Sequence, residues 1–169
     1  MANELTVVFS HGQESGPWGT KIRAMAEAVR ERGFVADSVD YRGMPEPETR
    51  IQALVSHCAD IDRQILLVGS SMGGYVSAAA APDVRPLGLF VLAPAFLMSE
   101  LPDLTPPAVP TEIVHGWRDD VVPANNSIQY AQMTSATLHL VDGDHRLTAN
   151  IEQICAYLLL FIDGLIAPA

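Results

Sequence analysis

Short, nearly uninterrupted apolar runs alternate along this chain with stretches in which apolar positions recur every three or four residues. Residues 5–10 read L-T-V-V-F-S, uncharged and rich in β-branched and aromatic side chains, as suits a strand covered on both faces. A helix should follow, with Ile22, Met25, Ala26 and Val29 at i, i+3, i+4 and i+7, ended by Gly33. Residues 34–39 predict a second strand and 41–47 a loop; the next helix shows Ile51, Leu54, Val55 and Cys58 at the same spacing. A third strand begins at Gln64 or Ile65 and breaks at Gly69. The helix starting near Met72 is Ala-rich and is expected to halt at Pro82. Strands over 87–92, 111–115 and 137–141 follow, with a short helix over 124–133 and a closing helix over 150–165. Residues 93–110 hold Pro94, Pro102, Pro106, Pro107 and Pro110, too many for a long regular element. This alternation predicts an α/β fold: a doubly wound, mainly parallel six-stranded sheet with helices on both faces, in one domain spanning 1–169.

In such sheets ligands bind beyond the carboxyl ends of the strands, so the residues just after each strand are the informative ones. After the third strand stands G-x-S-x-G, Gly69 to Gly73, with Ser71 central on a strand-to-helix turn that would hold its hydroxyl up at the sheet edge. A serine hydroxyl needs a base within reach, and a carboxylate to orient that base. His145, in the D-G-D-H-R-L loop after the last strand, is the candidate base. His57, His115 and His139 fall on a helix face or in strands and read as structural or solvated. The acid is Asp119 or Asp120, with Asp119 preferred as the fifth residue of H-G-W-R-D; Asp142 and Asp144 read as turn formers. Two backbone N–H groups, of Met72 and of Gln13, are the expected oxyanion donors.

Taken together, H-G-Q-E-S-G-P-W at 11–18, G-S-S-M-G-G at 69–74, H-G-W-R-D-D-V-V-P at 115–123 and G-D-H-R-L at 143–147 resemble the α/β-hydrolase superfamily, specifically its small, lidless bacterial members. The resemblance implies a minimal fold without a cap domain and without the two strands that precede the oxyanion loop in larger members. It implies Ser71, Asp119 and His145 as a triad, with Met72 and Gln13 at the oxyanion hole. The chemistry it implies is a metal-free and cofactor-free acyl-enzyme reaction on an ester or thioester. His11, Gly12, Trp18, Phe96 and Met98 are the candidates for lining the substrate pocket.

Composition narrows the alternatives. The formal net charge is −10, with a single lysine, Lys21, and nine scattered arginines. No basic patch is present to neutralise phosphates, so a nucleic-acid partner is not expected. Cys58 and Cys155 lie within apolar helical patterns and read as buried thiols. The start lacks a basic region followed by an apolar one, and residues 151–166 look too short and too polar to span a membrane. A cytoplasmic monomer or homodimer acting on a small-molecule acyl substrate is the expectation. The other readings are a non-catalytic ligand-binding or interaction protein on the same fold, and a small peptidase.

Overall fold

The computed structural model describes residues 4–168. Strands β1 (Leu5–Ser10), β2 (Val35–Val39), β3 (Gln64–Ser70), β4 (Gly88–Leu92), β5 (Thr111–Gly116) and β6 (Thr137–Val141) alternate with helices α1 (Thr20–Glu31), α2 (Pro47–Ala59), α3 (Met72–Val84), α4 (Ala124–Thr134) and α5 (Ile151–Ile166). One helix is missing from the alternation: residues 93–110, between β4 and β5, carry neither helix nor strand and no cap domain. The strands pair in the order β2-β1-β3-β4-β5-β6, and every pairing is parallel.

Side-chain alternation sets the layers. On β1, β3 and β4, Leu5, Val7, Phe9, Leu66, Val68, Phe90 and Leu92 face a core completed by Ile22, Met25 and Val29 of α1 and Ile154, Leu158 and Ile162 of α5. Their neighbours Val8, Ile65, Leu67, Leu89 and Val91 face a second core with Leu54, Val76, Ala78 and Tyr130 from α2, α3 and α4. Both faces of the central strands are therefore dry, as their unbroken apolar runs require. Each such side chain contributes roughly 1.5–3 kcal/mol by leaving water.

Two boundaries differ from the sequence pattern. Helix α3 does not stop at Pro82 but runs to Val84, where Arg85 adopts a left-handed conformation and returns its N–H to Ala81. In the final turn the proline removes only one intrahelical bond, so the break expected of an interior proline does not occur. Counted with the 3-10 turn Thr148–Asn150, the closing helix becomes a 19-residue stretch, Thr148–Ile166, with mean hydropathy 1.5. By length and composition alone that is enough to cross a membrane, contrary to the sequence expectation; here its Ile154, Leu158 and Ile162 pack into the core.

Register brings the carboxyl ends level. Ser10 pairs with both Val39 and Gly69, Ser70 with Leu92, and Gly116 with Val141. The loops that follow β1, β3, β5 and β6 thus open on one edge of the sheet.

Candidate active site

Ser71 sits at φ 55°, ψ −119°, a conformation that side chains with a Cβ rarely adopt. Its neighbours hold it there: Ser71 donates its N–H to the Leu92 carbonyl at 2.9 Å and accepts from the Ala95 N–H at 3.0 Å. The turn is tight enough that a Cβ on Gly69 would run into the Gly73 carbonyl, and one on Gly73 into the Ser10 carbonyl. This close approach of helix to strand explains the glycines on both sides of the serine. Helix α3 starts directly after it, at Met72.

The loop after β6 presents His145. It is tied to the loop after β5 by Trp117 N–H to the Val141 carbonyl and Arg118 N–H to the Gly143 carbonyl, both 3.1 Å. Asp144 turns the chain by accepting the Leu147 N–H at 3.0 Å, the local role its position predicts. His145 then places Nε2 at 3.0 Å from the Ser71 hydroxyl and Nδ1 at 2.8 Å from the Asp119 carboxylate. Asp120, the alternative acid, is exposed.

The Asp119 side chain is fully buried and richly satisfied. Oδ1 accepts the N–H groups of Val121 and Val122, each at 2.8 Å, while Oδ2 accepts from His145 and stands 3.0 Å from Nε2 of His115. Burial pushes this carboxyl up, but the bonds from the two histidines and two amides outweigh it and hold it well below the usual carboxylate range. An ionised Asp119 requires a proton on Nδ1 of His145, which leaves Nε2 free to accept the serine hydroxyl proton. A serine, an imidazole and a carboxylate in this line can pass a proton from nucleophile to base.

His115, read from sequence as structural, is buried and belongs to this network. Its Nε2 faces two acceptors, Asp119 and the Val122 carbonyl (2.9 Å), so that nitrogen carries a proton; Nδ1 meets the Ser127 hydroxyl at 2.7 Å. Its place four residues before Asp119, at the end of a strand pointing into the site, was the signal that could have found it.

The pocket candidates fare unevenly. Gly12 lies against Ser71, where an added Cβ would stand 3.4 Å from the serine's own. Gln13 is exposed beside it, and among the described residues neither its N–H nor that of Met72 finds an acceptor within the chain. His11 does not line a pocket. It is 1% exposed, donating from Nδ1 to the Gly12 carbonyl at 2.7 Å and accepting the Tyr41 N–H on Nε2 at 2.8 Å. Phe96 is likewise internal, stacked on Tyr130 with ring centroids 4.1 Å apart, because the loop needs an apolar anchor over α4. Trp18 turns away along α1, its ring 5.2 Å from the Arg30 guanidinium. Met98 is half-buried and touches the Asn126 amide; between it and Phe96, Leu97 stands exposed with φ 54°.

The sequence matches the alpha/beta hydrolase family over residues 7–161. A protein of the alpha/beta hydrolase superfamily from Xanthomonas campestris pv. campestris is 32% identical, with 96% of this chain and 99% of that one covered and a TM-score of 0.88. A lidless α/β serine hydrolase from Xanthomonas campestris is 21% identical, covering 99% of this chain and 84% of the other at a TM-score of 0.78. Est1E from Butyrivibrio proteoclasticus, in complex with ferulic acid, is 18% identical over 99% and 92% of the two chains, at a TM-score of 0.84. No curated protein sequence matches the chain. A family match across nearly its whole length, and a relative of like size and fold, show that this chain is a member of the alpha/beta hydrolase family.

Proposed function

We propose that this hydrolase cleaves a small carboxylic ester or thioester through an acyl-enzyme on Ser71. The observation that carries the reading is the unbroken line from the Ser71 hydroxyl through His145 to Asp119, at 3.0 and 2.8 Å. In this reaction Ser71 attacks the carbonyl carbon while His145 takes the hydroxyl proton on Nε2. The tetrahedral oxyanion is met by the N–H groups of Met72 and Gln13. His145 then protonates the leaving alcohol or thiol, and a water activated by the same nitrogen releases the acid from Ser71. Asp119 stays ionised and holds the ring.

The openness of the site supports a small or exposed acyl group. A cleft of about 670 Å³ lies between α2, α3 and residues 100–105; it includes Tyr75 but none of the three reacting groups, which stand at an uncovered edge. The esterase neighbour with bound ferulic acid makes chromogenic and aromatic esters sensible first substrates. The test is labelling by a fluorophosphonate probe alongside hydrolysis of p-nitrophenyl esters of graded acyl length. Wild type should react in both, and Ser71→Ala in neither while remaining folded. A folded wild-type protein inert to the probe and to every ester would overturn the proposal.

A further inference from the structure

Arg50 is an anomaly on physical grounds. It lies in the first turn of α2, only 2% of it is exposed, and it forms no ion pair among the described residues; Asp40, on the loop before α2, is bound by Arg42 instead. A buried guanidinium without a carboxylate gives up hydration for weaker partners, and an apolar side chain at this position would be less costly. What Arg50 has is main-chain oxygen. Nε donates to the Met44 carbonyl at 2.7 Å, and Nη1 to the carbonyls of His11 and Gly12 at 3.5 and 3.4 Å, with the Tyr41 ring 5.3 Å from the guanidinium carbon.

Those two carbonyls belong to the loop that carries Gln13. The Gly12 oxygen accepts from three side chains: Nδ1 of His11 at 2.7 Å, Nη1 of Arg50 at 3.4 Å and the Ser15 hydroxyl at 3.5 Å. The peptide joining Gly12 to Gln13 is trans, so its N–H points opposite to its carbonyl. Holding the oxygen among these donors turns the Gln13 N–H the opposite way, on a loop whose Gly12 packs against Ser71. A cation on the oxygen side also draws electron density from the amide and makes its hydrogen a better donor.

We infer that Arg50, acting with His11, is a positioning residue for the oxyanion site: it clamps the Gly12 carbonyl and so aims the Gln13 N–H at the substrate oxygen. The inference rests on the acyl-enzyme reading above. It predicts a loss confined to the transition state, since the donor is strengthened where charge develops rather than where neutral substrate binds. Arg50→Met should lower kcat on p-nitrophenyl acetate about tenfold or more, short of the roughly 10²–10³ of a deleted donor, with KM within about twofold. A trifluoromethyl ketone, whose tetrahedral adduct on Ser71 places an oxyanion in the same site, should bind more weakly by a similar factor. Arg50→Lys, which keeps the charge but not the planar fork, should recover part of both losses. A merely structural arginine would give matched losses in melting temperature and in the active fraction titrated by fluorophosphonate, with kcat per active site unchanged.

If Arg50→Met does not fold, Arg50→Lys and the wild-type protein still decide the matter. In the wild type, adding the ketone should move the backbone amide resonances of both Gln13 and Met72 downfield. A shift at Met72 alone, or a folded Arg50→Met with kcat per active site within about twofold of wild type, overturns the clamp while leaving the hydrolase reading intact. A wild-type protein inert to ester, probe and ketone overturns the hydrolase reading, and the clamp with it.

Discussion

His115 and His145 bring ring nitrogens to the same oxygen of the buried Asp119 carboxylate, at 3.0 and 2.8 Å. His145 faces the Ser71 hydroxyl, whereas His115 is enclosed and continues to the Ser127 hydroxyl. The inner histidine thus fixes the rotamer of the acid that fixes the outer one. His115→Asn, which cannot place a donor where Nε2 stands, should lower kcat about tenfold. It should also cost about 2–4 kcal/mol of stability by leaving buried polar groups unpaired. His115→Gln, whose amide nitrogen can occupy the Nε2 position, should restore most of kcat. Steady-state kinetics with urea denaturation of both variants make the comparison, and equal kcat in the two would argue against the shared-acid role.

The two neighbouring aspartates should separate cleanly. Asp119→Asn is expected to reduce kcat by about 10³–10⁴, since an amide facing His145 favours the wrong tautomer, while Asp120→Asn stays within about twofold of wild type. Asp119 also carries a pH signature. Its folded-state affinity for protons is depressed, so its contribution to stability is complete above the ordinary carboxylate value of about 3.9 and is lost as pH falls through the lower folded value. The stability gap between wild type and Asp119→Asn should therefore be constant near neutrality and begin to close below about pH 4, as read by urea titrations across that range.

Backbone strain at Ser71 makes a third expectation. Holding a residue with a Cβ at φ 55°, ψ −119° costs about 1–3 kcal/mol, and a glycine would be free of it. Set against the extra freedom glycine brings to the unfolded chain, about 0.4–1 kcal/mol, Ser71→Gly should gain on the order of 1 kcal/mol while losing all activity. Ser71→Ala keeps the Cβ and should gain little. Calorimetric melting of the pair tests whether stability has been exchanged for a hydroxyl held in place.

Lys21, the only lysine, stands half-buried at the start of α1. Burial pushes its amine down to about 8, against the opposing pull of Asp144 and Asp119. Between about pH 8 and the unfolded value near 10.4 the unfolded chain binds more protons, so stability should rise with pH through that window. Lys21→Met is expected to melt higher than wild type at pH 7, with the advantage shrinking by pH 10. An advantage of equal size at both pH values would show that the charge is not the cause.

How much of this was legible in sequence follows from what each residue answers to. The strands β1, β3 and β4 were readable because burial on both faces leaves no room for polar residues. The meeting of Ser71, Asp119 and His145 was legible because the sheet's edge selects a few loop positions, and only certain residue types there can do proton chemistry. Arg50 is invisible to apolar spacing, which in α2 starts at Ile51, although Arg50, Leu54 and Cys58 share the buried stripe at i, i+4 and i+8. Phe96 and Trp18 stand away from the expected pocket for a different reason: a loop's large side chains either anchor it or line the site, and spacing does not say which. The persistence of α3 through Pro82 reflects the tolerance of a last turn, which composition cannot see.

Strand position gives the site an uneven mechanical footing. Ser71 follows β3, flanked by β1 and β4, but His145 follows β6, which has a neighbour on one side only. Peripheral strands open locally at lower free energy than central ones. Warming should therefore detach the imidazole from its partners while the middle of the sheet is intact, so that ester turnover fades several degrees before circular dichroism registers unfolding and returns promptly on cooling.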